Sequence, residues 1–256
     1  MLQVSPVRAF SDNYIWIIQN SSNNACLIVD PGDANPVFDY LEQHRLKPEA
    51  ILITHKHADH VGGVNQLREH YDMPVYGPKS ETSRWVDNDV NADSKLNFSL
   101  TNVDFEIIEL PGHTHGHIAY HTPGHLFCGD TLFVAGCGRV FEGTMAQMYT
   151  SLQSLAALDD ATRVYCAHEY TLSNLQFALA VEPDNNDLLA YYDEATQLRK
   201  CDIPTVPSSI AREKRINPFL RCSEVKVTQA AVRHGMIADG GPAEVFATLR
   251  SWKDNF

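Results

Sequence analysis

The sequence predicts an α/β protein in two parts, a strand-and-helix domain over residues 1–170 and a helical domain over residues 171–256. Three observations predict it. Short apolar runs alternate with segments of helical spacing as far as Tyr170, and beyond it only helical spacing persists. Several of those runs end in histidine or aspartate, and strand-and-helix folds gather binding groups at strand ends, where a rigid scaffold holds the loops. One end is far denser than the rest: Thr54-His55-Lys56-His57-Ala58-Asp59-His60 follows directly on Ala50-Ile51-Leu52-Ile53.

Residues 2–7, 13–20 and 25–29 are β-type runs separated by polar turns, the last closing in Asp30-Pro31-Gly32-Asp33. Residues 36–45 have helical spacing through Val37, Phe38, Tyr40 and Leu41, with Pro36 placed early, where its missing N–H costs nothing. The buried strand and the histidine cluster come next. His55 and His57 point the same way in extended chain, and a helix over 61–71 would set Asp59 and His60 at its start. Residues 73–77 read as a short strand and the polar stretch 80–100 as irregular. Val103, Phe105 and Ile107 alternate along a strand that delivers Pro111-Gly112-His113-Thr114-His115-Gly116-His117. Strand-like 118–121 and 126–128 lead to Gly129-Asp130-Thr131. Residues 145–158 are helical in pattern, and strand 164–167 ends in His168-Glu169-Tyr170. Helical spacing then covers 172–181, 187–200 and 242–253, with turn-rich segments at 182–186 and 203–209.

Composition excludes several roles. At 256 residues and 44% hydrophobic, the chain reads as globular, and no apolar run approaches the ~20 residues that cross a bilayer. Residues 1–14 include Arg8 and Asp12 and lack the apolar core of a secretory signal, so a cytoplasmic location is expected, with no membrane partner. Acidic residues outnumber basic ones by 32 to 20, a net charge of −12 that argues against nucleic acid. The six cysteines are scattered without a CxxC pair and read as reduced and packed. A monomer is expected, although composition does not exclude oligomers.

Asp59 alone is an ordinary helix cap, Asp130 an ordinary turn residue, and His113 or His168 an ordinary structural histidine. Their recurrence at successive strand ends is not ordinary. Five histidines (His55, His57, His60, His113, His168) and two aspartates (Asp59, Asp130) are too many donors for one tetrahedral zinc with an open position. They suit two divalent metals, with one aspartate bridging and three donors left for each ion. A water shared by such ions loses a proton near pH ~7 and becomes a nucleophile. Competing machinery is missing. There is no Gly-x-Ser-x-Gly elbow, Cys166 near His168 lacks a third orienting group, and no Walker-type loop occurs. The residues point to hydrolysis and leave the bond open.

The pattern Thr54-His55-x-His57-x-Asp59-His60 with His113, Asp130 and His168 resembles the metallo-β-lactamase fold superfamily. Within it, the chain resembles the glyoxalase II, or hydroxyacylglutathione hydrolase, family. The closer match rests on Ser11-Asp12-Asn13-Tyr14, Gly136-Cys137-Gly138-Arg139, Ile216-Asn217-Pro218-Phe219-Leu220-Arg221 and Lys253-Asp254-Asn255-Phe256. The resemblance implies a four-layer αββα sandwich followed by a helical substrate-binding domain. It implies hydrolysis of S-D-lactoylglutathione to D-lactate and glutathione, the second step of methylglyoxal detoxification. His55, His57 and His113 would hold one metal and Asp59, His60 and His168 the other, with Asp130 bridging. Zinc is the first expectation, and iron or manganese also suit the donors. Arg139, Tyr170, Arg250 and Lys253 would bind the glutathione moiety. Basic residues near a helix C-terminus are favoured by its dipole in any case. Phe141 replaces a tyrosine that reaches glutathione in some relatives. His117 reads as supporting, and His115, His121 and His125 as loop residues.

A metallo-β-lactamase proper would be secreted and would leave the helical end unexplained. Persulfide dioxygenases of this fold use one iron and fewer ligands, and a binding module would hold metals without turnover. The full donor set and the Arg250/Lys253 ending favour the hydrolase.

Overall fold

Strands that are apolar along both faces must be covered on both, and the runs Asn13–Asn20 and Ala25–Val29 are of that kind. The computed structural model describes residues 2–235 and 240–256, which form two compact units. The first runs to Glu109 and adds Gly116–Gly129. The second holds Leu110–His115 and the described residues from Asp130 onward.

In the first unit, β1 (Leu2–Ala9), β2 (Asn13–Asn20) and β3 (Ala25–Val29) pair antiparallel. Helix α1 (Asn35–His44) crosses to β4 (Lys47–Leu52), which lies parallel to β3. After α2 (Ala58–Val61) and α3 (Val64–Tyr71), β5 (Val75–Gly77), α4 (Lys79–Thr82) and β6 (Asn88–Asp89) complete the first sheet in the order β1-β2-β3-β4-β5-β6. Strands β7 (Lys95–Phe98), β8 (Val103–Glu109), β9 (Ile118–Thr122) and β10 (His125–Gly129) form an antiparallel set. Alternate residues of the first sheet, Ile15, Ile17, Cys26, Ile28 and Ile51, pack with Val37 and Leu41 of α1 and Val64 and Leu67 of α3. Each fully buried aliphatic side chain contributes about 1.5–3 kcal/mol. Tyr120 on β9 ties the two sheets together, its hydroxyl donating to the carbonyls of Ile53 (2.9 Å) and Tyr76 (3.2 Å).

In the second unit, the hairpin β11 (Leu132–Phe133) and β12 (Gly136–Cys137) precedes α5 (Met145–Ala156). Helix α5 opens with a capping box. Thr144 Oγ1 accepts from Gln147 N and Gln147 Oε1 from Thr144 N. Strand β13 (Arg163–Cys166), α6 (Thr171–Val181), α7 (Asn186–Lys200), β14 (Ser208–Ser209), α8 (Ile210–Ile216), α9 (Val225–Arg233) and α10 (Pro242–Asp254) follow. In this unit's core Phe177 of α6 stacks on Phe219 (5.9 Å), and Phe219 meets Phe246 of α10 edge-on (5.7 Å).

Four expectations are corrected. The helix expected over 61–71 is broken at Gly62-Gly63 into α2 and α3, because glycine holds helical backbone poorly. Residues 80–100 are not irregular: they hold part of α4, β6 and β7, where Leu96 and Phe98 alternate with polar residues. Two helices, α8 and α9, were not anticipated in the C-terminal region. A strand occurs there too, since Ser208 and Ser209 pair with Val164 and Arg163. None of the six cysteines is in a disulfide, and all but Cys201 are buried. Among the described residues, no helix is long and apolar enough to cross a membrane.

Candidate metal centre

The first unit places its donors beyond the C-terminal ends of β3 and β4. His55 is buried, His57 stands at the N-cap of α2, and Asp59 and His60 occupy that helix's first turn. Burying these polar groups requires partners. Asp30, in the turn that closes β3, supplies one for His60 and for Thr54. Its Oδ1 accepts from the Thr54 backbone N–H (2.7 Å), and its Oδ2 from Thr54 Oγ1 (2.7 Å) and His60 Nδ1 (3.0 Å). Since Thr54 gives its hydroxyl proton to Asp30, its oxygen can accept from His55 Nδ1 at 3.0 Å. The detectable signal was an aspartate at the end of an apolar strand, the same signal that singled out the other site residues. Asp30, His55 and His60 each offer an atom within 4.8 Å of the others. Asn13 donates to Asp59 Oδ2 at 2.9 Å, and the Gly32 loop closes on the same residue, where an added Cβ would come within 1.9 Å of the Asp59 carbonyl oxygen. Only glycine permits that approach.

The second unit carries His113, Asp130 and His168. The His113 loop is fastened to α5 by Ser151 Oγ, which donates to the Pro111 carbonyl (2.9 Å). His113 Nδ1 lies 2.8 Å from the Arg139 carbonyl oxygen. The two oxygens of Asp130 face different imidazoles, Oδ2 at 3.4 Å from His113 Nε2 and Oδ1 at 3.3 Å from His168 Nε2. Gly138 allows this packing, since a Cβ there would meet the Asp130 carbonyl oxygen at 1.9 Å.

These contacts fit a metal. A carbonyl only accepts, so His113 Nδ1 must carry the proton, and in the neutral ring Nε2 presents a lone pair. That lone pair faces a carboxylate oxygen. His60 repeats the arrangement: Nδ1 faces Asp30, and Nε2 lies 3.4 Å from Asp59 Oδ2. Acceptor against acceptor is repulsive without a cation between them, and a fixed Nδ1 partner is what a metal-ligating histidine ordinarily has.

The sequence matches the metallo-beta-lactamase superfamily over residues 9–168 and the family described as hydroxyacylglutathione hydrolase C-terminus over residues 169–256. The hydroxyacylglutathione hydrolase of Nitrosomonas europaea is 49% identical across 100% of this chain and 97% of its own. That of Pseudomonas fluorescens is 51% identical across 100% of both. The chain belongs to the hydroxyacylglutathione hydrolase family. It is therefore an enzyme, a hydrolase of α/β class with the metallo-β-lactamase fold and a helical C-terminal region. The fold recurs in the crystal structure of ETHE1 from Myxococcus xanthus (TM-score 0.68, 23% identity, covering 98% of this chain and 91% of that one). It recurs in that of TTHA1623 in a di-iron-bound form (TM-score 0.60, 24% identity, 84% and 100%).

The residues expected to bind glutathione all belong to the second unit, whereas the spare histidines His117, His121 and His125 belong to the first. Tyr170 is partly exposed and stacks on His168 (4.7 Å, 5°). Arg139 is largely exposed, with Nε 3.5 Å from Asp254. Arg250 is buried. Its Nη1 donates to the Cys137 carbonyl (2.8 Å) and its Nη2 to Asp254 (2.9 Å). Burial lowers the Lys253 pKa, and the charges of Arg250 and Arg139 lower it further. Phe141 is 61% exposed, its ring 5.3 Å from that of His113. Among the spare histidines, His117 is buried and stacked on His55 (4.7 Å). His115 is exposed, His121 lies 4.0 Å from Glu106, and His125 bonds the Pro123 carbonyl.

Proposed function

We propose that this hydrolase cleaves S-(2-hydroxyacyl)glutathione thioesters, S-D-lactoylglutathione foremost, to a 2-hydroxy acid and glutathione. Identity near one half to hydroxyacylglutathione hydrolases along the whole chain supports the reaction. The observation that carries the site is Asp130, which turns one oxygen to each of two histidines. In this reading, His55, His57 and His113 would hold one divalent ion and Asp59, His60 and His168 a second, with Asp130 as the ligand shared by both. Zinc is proposed, with iron and manganese as alternatives the same donors accept. Bound there, such ions would supply a Lewis acid for the thioester carbonyl and an acidified water.

The chain's own residues do the rest. Asp30, Thr54 and the Arg139 carbonyl hold the imidazoles of His60, His55 and His113 in their ligating tautomers. Arg139 and Lys253 offer cations to the glutathione carboxylates, Arg250 holds Cys137 and Asp254 beside them, and Tyr170 packs against the leaving thiol's side. A thiol with a pKa of ~8.5 departs as thiolate without a dedicated acid. Functionally, residues 1–170 form the metal domain and 171–256 the substrate domain. We place the enzyme in the cytoplasm as a monomer without nucleic acid or membrane partners; its charge of −12 disfavours nucleic acid, and cysteines outside disulfides suit a reducing compartment.

The test compares purified enzyme on S-D-lactoylglutathione and on the same acyl group carried by a thiol lacking the γ-glutamyl and glycyl carboxylates. Hydrolysis of the first at markedly higher kcat/KM supports the reading, and equal rates contradict it.

A further inference from the structure

Glu213 on α8 is fully buried and has no place in the chemistry above. Burial raises its carboxyl to about 7, against the opposing pull of Ser208, Ala135, Asn217 and the Arg212 charge. A buried carboxyl is costly, and an apolar side chain of that size would serve packing better. Its partners explain its presence. Oε2 accepts from the backbone N–H of Ala135 (2.8 Å) and from Asn217 Nδ2 (3.0 Å), and Oε1 from the Ser208 hydroxyl. Ala135 is the tip of the β11–β12 hairpin and has a left-handed backbone (φ 53°) that a non-glycine residue adopts at a cost. The buried Asn217 also donates to Phe133 O (3.2 Å) and Gly136 O (2.9 Å), and Asn174 donates to Val134 O (3.1 Å).

That hairpin is the member the second unit's site hangs on. Asp130 precedes it by two residues and Arg139 follows it by two, and the Arg139 carbonyl fixes His113. Cys137 O takes the Arg250 guanidinium, and the Phe133 ring meets both His168 (5.9 Å) and Tyr170 (5.2 Å). We propose that Glu213 is a positioning residue for hydrolysis, clamping the hairpin tip so that Asp130 and the Arg139 carbonyl stand where the metal ligands need them. The inference rests on the two-metal reading above.

The experiment measures bound metal per chain and kcat and KM with S-D-lactoylglutathione for wild type, Glu213→Ala and Glu213→Gln, each well below its Tm. Glu213→Ala orphans the Ala135 N–H, and kcat and metal affinity should both fall several-fold, approaching the ~10-fold that loss of a ligand's direct outer partner costs, because Glu213 acts one contact further out. Glu213→Gln can keep its carbonyl toward Ala135 and Asn217 and donate to Ser208, so it should recover most of both. If Glu213→Ala fails to fold, Glu213→Asp, one methylene short of Ala135, carries the same expectation. A folded Glu213→Ala or Glu213→Asp with wild-type kcat and metal content overturns the clamp, as does Glu213→Gln as impaired as Glu213→Ala. A wild type without two metals or without thioesterase activity overturns the two-metal reading, and the clamp with it.

Discussion

Asp30 is the residue on which the first unit's donors most depend, and Asp30→Asn isolates its role with almost no change of shape. The carboxylate accepts three hydrogen bonds in a site only 3% exposed. An amide cannot. Turned so that its oxygen still serves Thr54 Oγ1 and His60 Nδ1, it sets NH₂ against the Thr54 N–H. Turned the other way, it opposes His60 Nδ1. One buried donor left unmade costs about 1–3 kcal/mol, and each surviving bond loses its charge assistance, worth about 1 kcal/mol. The metal-free protein should therefore lose about 3–5 kcal/mol in urea unfolding. Freed to change tautomer, His60 should also bind metal 10–100-fold more weakly, about what second-partner substitutions cost, measured by competition with a chromogenic chelator. Metal-free stability within about 0.5 kcal/mol of wild type, a typical effect for an ordinary surface site, together with unchanged metal affinity would refute the role drawn for Asp30.

Asp130→Ala should abolish hydrolysis and lower bound metal together, checked by elemental analysis beside the activity assay; full metal content would remove Asp130 from the ligand set. Gly138→Ala puts a methyl 1.9 Å from the Asp130 carbonyl oxygen, so kcat should fall at least ~10-fold through displaced ligands, the scale expected of outer-shell damage. Lys253→Met should raise KM about 10-fold with kcat nearly kept, a loss of ~1.4 kcal/mol of ground-state binding. Arg250→Ala should raise KM and also lower Tm, since its guanidinium holds Cys137 and Asp254; an unchanged KM would sink its part in substrate binding. Glu213 makes stability depend on pH in an unusual direction. Its folded-state pKa is raised from 4.5 to about 7, so the folded state holds the proton more tightly and stability falls as pH rises through that window. At ~1.4 kcal/mol per pH unit, wild type should lose roughly 3 kcal/mol relative to Glu213→Gln between pH 4.5 and 7; parallel profiles would contradict this.

The parts of this protein legible in its sequence were those with a short-range pattern. Residues 25–29 gave a continuous apolar run and are strand β3, and Val103, Phe105 and Ile107 alternated along β8. The candidate metal donors were legible because they cluster in the segments that follow β4, β8, β10 and β13. Asp30 obeyed the same rule and was still missed, because Pro31 and Gly32 make it look like a turn residue and its partners Thr54 and His60 lie 24 and 30 residues away. Glu213 looked like an ordinary polar helix residue, since its near partners Ser208 and Asn217 are common helix-end residues and Ala135 is 78 residues distant. Strand β7 was hidden by its polar outward face, and α8 and α9 by the turn residues around them. Tertiary contact decides such positions, and a sequence window does not contain it.

Two metal ions held by the His/Asp donors are what we propose makes this chain a glutathione thioesterase. The most direct test removes metal with a chelator and then follows S-D-lactoylglutathione hydrolysis as zinc is returned in measured equivalents. Activity should be absent in the chelated protein and rise to its plateau at about two equivalents per chain, as a dinuclear site requires. Full activity at one equivalent, or no thioester cleavage with both equivalents bound, would contradict the account.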